Sequence, residues 1–163
     1  MTQPRNFSTR NDLAADVREK VIALLNQHLA DTSDLYSQTK QAHWNVKGPH
    51  FYQLHLLFDS LAESIEGYVD LIAERVTALG GTALGTLRMA ARASRLPEYP
   101  VEAVDGLQHV EALATRFAQL AKSSRSAIDS AALIGDADTT DIFTEVSRGL
   151  DQNLWFLEAH LQG

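Results

Sequence analysis

The sequence predicts an all-α protein: a four-helix bundle with a short helix in the long connection between helices 2 and 3. Three observations predict it. Apolar residues recur at three- and four-residue spacings through four long runs, the period of one helix face. The prolines and the paired glycines fall between those runs. No segment alternates with period two for long enough to propose a strand.

The first run has neither Gly nor Pro between Pro4 and Gly48 and carries Leu13, Val17, Val21, Leu24, Leu25, Leu29 and Leu35. It reads as one amphipathic helix from about residue 11 to 46. Lys47-Gly48-Pro49 ends it, with Pro49 suited to the first turn of the next helix. The second helix repeats the pattern through Phe51, Leu54, Phe58, Leu61, Ile65, Val69, Ile72, Val76 and Leu79, and stops at Gly80-Gly81. Gly85, Pro97 and Pro100 make residues 82–100 a connection, with a short helix predicted around Thr86–Ser94. Asp105 is a natural N-cap for the third helix, whose stripe is Leu107, Val110, Leu113, Phe117, Leu120, Ala121 and Ile128. Gly135-Asp136-Ala137-Asp138 breaks it. The fourth helix carries Ile142, Val146, Leu150, Trp155 and Leu157 to the terminus. Short turns at the first and third joints with one long crossover define the topology.

A chain of 163 residues suits one domain, read as a bundle over 11–163 behind a flexible tail over 1–10. Hydrophobic residues at 45% and charged residues at 21% are ordinary globular composition and exclude disorder. No apolar run is long enough to span a membrane. The polar start MTQPRNFSTRND carries no secretory signal, so a cytoplasmic address is expected, the nucleoid included. With no Cys there is no disulfide, thiolate metal site or cysteine nucleophile. The net charge of −7 argues against nucleic-acid binding through bulk charge.

Five metal-ligand candidates stand around the first turn and along the second helix: His43, His55, Asp59, Asp70 and Glu74. His55/Asp59 and Asp70/Glu74 are each i, i+4 pairs, so each pair shares a face. At about 100° per residue the four fall at roughly 0°, 40°, 60° and 100°, one stripe beside the apolar positions Phe58, Ile65 and Ile72. Carboxylates there are costly unless paired or metal-bound. Taken alone, either pair is usually a solvated face or a local ion pair. Two on one stripe, with His43 at the preceding helix end, point to metal.

Length along the helix then constrains the site. Asp59 and Asp70 are about 16 Å apart, and a ligand sits about 2 Å from its ion. One helix therefore cannot bring both pairs to a single ion. Two copies crossing antiparallel near Ser64–Ile65 can, placing one chain's His55/Asp59 beside its partner's Asp70/Glu74 and giving two equivalent sites. Mixed imidazole and carboxylate ligation suits Fe, Mn or Zn better than Ca or Mg. The chain contains no Glu-x-x-His, the motif that builds a di-iron site inside one bundle.

The strings KQAHWNVKGPHF, LHLLFD, DLIAERVTALGG, ALGT and DADTTDIFTEVSRGLDQNLWFLE resemble the DNA-protection-during-starvation (Dps) proteins, or mini-ferritins. The resemblance runs from about Asn11 to His160 and implies a ferritin-like bundle assembled as a hollow shell of twelve subunits. It implies oxidation of Fe(II), preferentially with hydrogen peroxide, and storage of the Fe(III) mineral inside. It places His43, His55 and Asp59 of one chain opposite Asp70 and Glu74 of a two-fold partner, holding up to two iron ions, with Zn or Mn as substitutes. Trp44 falls where the family has a tryptophan near the centre.

The acidic group Asp136, Asp138, Asp141 and Glu145 opens the last helix. Capping and the helix dipole account for Asp136 and Asp138. The resemblance implies that Asp141 and Glu145 line three-fold pores that draw in cations. His50 lies in the turn between His43 and His55; His28, His109 and His160 read as solvated helix positions. Gly67 lies near the proposed crossing, where close approach of two chains would explain it.

Some members of the family grip DNA through a lysine-rich arm. This arm offers Arg5 and Arg10 and no lysine, and twelve chains of −7 carry about −84 formal charges in all. Weak, salt-sensitive DNA contact is the most it implies. The rival reading is a DNA-compacting structural protein with vestigial metal chemistry.

Overall fold

The computed structural model describes residues 5–162. Among these it contains five helices: α1 Ala15–Asn45, α2 Phe51–Ala78, α3 Leu87–Ala93, α4 Gly106–Ile134 and α5 Ala137–Glu158. None of them is long and apolar enough to cross a membrane. The four long helices and the short one in the crossover stand where periodicity puts them.

The starts and stops follow local chemistry. α1 begins at Ala15, later than the apolar pattern suggests, because side chains take the donors ahead of it. Thr9 Oγ1 accepts from Asn11 N at 3.1 Å and Asn11 Oδ1 from Leu13 N at 3.0 Å, offering the backbone a turn in place of a helix. Asp105 opens α4 with a full capping box: its carboxylate accepts from Leu107 N and Gln108 N, and Gln108 Oε1 accepts from Asp105 N. Gly135, at φ 93°, closes α4 in a left-handed conformation that a side chain would strain. Asp136 then caps α5 by accepting from Thr139 N.

α1 pairs with α2 and α4 with α5, while α1 also packs on α4 and α2 on α5. The long connection returns the chain to the end where α1 finishes, shown by Lys47 N donating to the Val104 carbonyl at 3.1 Å. At the opposite end Phe7 N donates to the Gly80 carbonyl at 2.8 Å and Thr82 Oγ1 to the Arg5 carbonyl at 2.7 Å. The part of the predicted tail that is described is thus laid against the end of α2. Met1–Pro4 fall outside the described residues.

One core runs the length of the bundle, with Leu25, Leu29 and Leu35 of α1, Phe58 and Ile65 of α2, Phe117 of α4 and Phe143 of α5 fully buried. Truncating one such phenylalanine to alanine costs about 3–5 kcal/mol.

Five positions depart from the sequence reading, among them Phe51, placed on the apolar stripe of α2 yet 44% exposed in its first turn. Trp155, placed on the apolar stripe, is 60% exposed, because it lies about 140° around α5 from Leu150. Leu107, in the first turn of α4, is 54% exposed. His28 and His109, read as solvated, are buried. His28 is three residues after Leu25 and seven before Leu35, so helical spacing places it on the core face, and spacing outweighs residue type. Its ring meets Phe143 edge-on at 4.7 Å.

Candidate metal centre

His43 is the last basic residue of α1 and His55 lies in the second turn of α2, so the turn between them folds the two rings together. The imidazoles stack with centroids 3.8 Å apart and planes at 20°. His43 Nδ1 lies 2.8 Å from the His55 carbonyl, and His55 Nδ1 lies 2.9 Å from the His43 carbonyl. A carbonyl only accepts, so both Nδ1 atoms carry protons. Each ring is held in one tautomer with its Nε2 lone pair unused, the arrangement that orients a metal-ligating histidine.

Asp59, one turn after His55, stands beside them, with Oδ1 3.8 Å from His43 Nε2. Lys40 Nζ donates to the same Oδ1 at 2.6 Å and lies 5.9 Å from the centre of the Trp44 ring. The hydrogen bond from Lys40 holds the Asp59 carboxyl below the usual carboxylate range. Sequence reading missed Lys40, although it stands three residues before His43, hence on the same face of α1.

The structure brings His43, His55 and Asp59 together and leaves Asp70 and Glu74 further along α2. Asp59, Asp70 and Glu74 are exposed, at the margin of the buried stripe rather than within it. Within one chain, among the described residues, no three His, Asp or Glu side chains converge on a metal-sized site. Trp44, Phe51, Tyr52 and Leu56 expose 44–65% of their surface around this group. A Cβ at Gly67 would meet nothing in its own chain. His50 is exposed.

With the bundle and this geometry in place, the comparisons with known proteins decide the family. Residues 22–163 match the ferritin-like domain model. A relative from Agrobacterium fabrum, named DNA protection during starvation protein, is 45% identical over 158 residues, covering 97% of this chain and 98% of that one. The chain belongs to the Dps family of mini-ferritins. Another Dps protein, from Brevibacillus brevis, is 31% identical over 92% of this chain and all of that one. Among solved structures, DpsC from Streptomyces coelicolor superposes with a TM-score of 0.91 at 32% identity, covering 97% of this chain and 92% of that one. The Vibrio cholerae Dps protein, described as a member of a broad superfamily of ferritin-like diiron-carboxylate proteins, superposes at 0.88 with 25% identity, covering 97% and 100%.

In this Dps chain the acidic start of α5 has two parts. Asp136 is buried and gripped by Arg75, whose Nη2 lies 2.7 and 3.0 Å from its two oxygens while Nε donates to Thr139 Oγ1 at 3.0 Å. Burial pushes the Asp136 carboxyl up, and the hydrogen bonds from Thr139 and Arg75 outweigh it, leaving it below the usual range. Asp138, 3.4 Å from Arg75 Nη1, is mostly exposed. Asp141 and Glu145 point away from the core and are exposed, as are Arg5 and Arg10. Arg75 is a second residue that sequence reading passed over. The adjacent Glu74 drew the metal argument, and nothing in local spacing ties Arg75 to a residue 61 positions later.

Proposed function

We propose that this Dps protein oxidises Fe(II), preferentially with hydrogen peroxide, and stores the Fe(III) product inside a shell of twelve chains. The observation that carries the reading is the reciprocal His43–His55 clamp. Two imidazoles oriented through Nδ1, with Nε2 atoms that make no hydrogen bond, beside a carboxylate are a half-set of ligands suited to Fe, Mn or Zn. The description of the Vibrio cholerae relative as a diiron-carboxylate protein favours iron.

The other half is Asp70 and Glu74 of a two-fold partner. Exposed carboxylates on α2, exposed aromatics around the clamp and an unobstructed Gly67 all support a second copy crossing there. The chain's residues would orient Fe(II) and peroxide and exclude bulk water once the partner closes over them. Two Fe(II) ions give one electron each, two protons come from solvent, and peroxide leaves as two waters. Asp141 and Glu145 would draw cations through three-fold openings.

The relatives' name supports a protective role toward DNA. We assign this mainly to removal of Fe(II) and peroxide, with Arg5 and Arg10 adding weak, salt-sensitive phosphate contact. The test is consumption of Fe(II) and peroxide by the purified protein, with native mass as companion: twelve chains of 17.9 kDa give about 215 kDa. Replacing His55 and Asp59 together by Ala is expected to abolish rapid oxidation and leave helical content intact. Consumption no faster than in buffer overturns the reading.

A further inference from the structure

Away from the candidate centre, the bundle encloses a titratable pair that the proposed chemistry leaves unused. Tyr99, in the connection between α3 and α4, and His109, in the first turns of α4, are 8% and 1% exposed. Tyr99 Oη lies 2.6 Å from His109 Nδ1. In the tautomer with the imidazole proton on Nε2, the phenol donates to Nδ1; Nε2 itself is buried with no protein partner among the described residues. The Arg116 guanidinium lies 5.5 Å from the centre of the Tyr99 ring. It is held by Gln38 Oε1 at 2.6 Å, by the Ala112 carbonyl at 2.8 Å and by the Glu98 carbonyl.

These features select one kind of chemistry. Burial pushes the phenol's pKa up, so the ring does not ionise to a phenolate. A fixed guanidinium beside the ring opposes any positive charge on it. Removing an electron from Tyr99 therefore requires removing its proton at the same time. The nitrogen within proton-transfer reach belongs to an imidazole whose pKa burial lowers, so it takes the phenolic proton only as the electron leaves and the phenol becomes a strong acid.

Among the described residues no other side chain is a comparable donor. There is no Cys and only two Met, and the described Met89 is 41% exposed. Trp44, Trp155 and Tyr52 are 60–65% exposed. Tyr36 and Tyr68 have no histidine partner among the described hydrogen bonds.

We propose that Tyr99 is a one-electron donor whose phenolic proton passes to His109 as it is oxidised, giving each chain a buried reserve of one reducing equivalent. Its use rests on the iron and peroxide chemistry proposed above. When a centre holds a single Fe(II), that ion supplies one electron and Tyr99 the second. Two protons come from solvent, the peroxide O–O bond breaks and two waters form. Tyr99 is left as a neutral phenoxyl radical hydrogen-bonded to the His109 imidazolium. Without the second electron, the same cleavage ends in hydroxyl radical. A later Fe(II) returns the electron and His109 returns the proton.

The position suits the role. Lys47, four residues after His43, is bonded to Val104 at the entrance to α4. Leu54, the neighbour of His55, packs so closely under Gly106 that a Cβ there would collide with it. Both ligand-bearing segments thus abut the turn that leads to His109.

Two experiments test the proposal separately from the function it serves. In the first, metal-free protein is oxidised by photogenerated ruthenium(III) tris-bipyridine and freeze-quenched for electron paramagnetic resonance. The wild type is expected to give a long-lived neutral tyrosyl radical, lost in Y99F, which removes one oxygen and spares the fold. In heavy water the radical is expected to couple strongly to one exchangeable deuteron, and His109→Leu is expected to abolish that coupling. A purely packing role would produce neither signature. The same radical in wild type and Y99F, or no long-lived tyrosyl radical, overturns the proposal. In the second, limiting Fe(II) meets excess peroxide with a spin trap present, and Y99F is expected to release more hydroxyl adduct than wild type. A radical in the first experiment with equal adduct in the second upholds the pair and overturns its coupling to peroxide.

Discussion

Lys40 Nζ lies 2.6 Å from Asp59 Oδ1, on the carboxylate that the proposed centre needs for metal. Metal binding there has to displace an ammonium that already satisfies the oxygen. The pair is partly exposed, so solvent screens it and its contribution is small. K40Q is expected to tighten Zn(II) binding by up to about fivefold in calorimetry while retaining Fe(II) oxidation. Unchanged or weaker binding would remove Lys40 as a competitor.

The shared-site proposal makes a sharper demand. A chain lacking His55 and Asp59 and a chain lacking Asp70 and Glu74 are each expected to be inactive. Co-assembled, every mixed pair rebuilds one intact centre of its two, because the wild-type halves come from opposite chains. Regained Fe(II) oxidation in mixed shells checks this. Mixed shells as inert as their parents would sink the idea of a site shared between chains.

Arg75 and Asp136 join the end of α2 to the start of α5, with side chains 11% and 2% exposed. R75M strands a buried carboxylate and is expected to cost about 3–5 kcal/mol. R75M combined with D136N removes the stranded charge and is expected to cost less than the sum of the single changes. Thermal unfolding of the three variants reads this out, and strict additivity would show that the pair is not coupled.

The sequence carried the long helices, the crossover and the place of α3, because those follow from helical spacing, proline position and a good N-cap. It also carried the His43, His55 and Asp59 grouping, since a short turn between two helices leaves few options. What it missed depended on distance in the chain. Arg75 reaches Asp136, Arg95 reaches Asp31 and Tyr99 meets His109 only after the bundle closes. The burial of His28 was legible in spacing, but its polar character was given too much weight.

His28 carries a dependence on pH. Burial, with Arg95 adding to it and Asp31 opposing, lowers its pKa from 6.5 to about 4. The unfolded chain takes up a proton near pH 6.5 that the folded chain refuses. Stability is therefore full above that pH and is lost as pH falls towards 4, by up to about 3 kcal/mol. His28→Leu is expected to flatten the melting temperature across that window relative to wild type. An unchanged slope would place the acid sensitivity elsewhere.

The arginines of the N-terminal segment can be separated from the iron chemistry. Removing residues 1–12 is expected to abolish the weak gel shift of DNA at low salt and to leave Fe(II) oxidation intact. Strong binding that survives the deletion at physiological salt would favour the DNA-compacting reading.

Because no lone chain converges three ligand side chains on one metal-sized site among its described residues, a shared centre makes the redox chemistry conditional on maturation. A newly synthesised polypeptide, or one shed from a damaged shell, would offer iron a few exposed groups and nowhere to react. Oxidation would begin only where a compartment exists to receive its product, so pairing itself would serve as the safety catch.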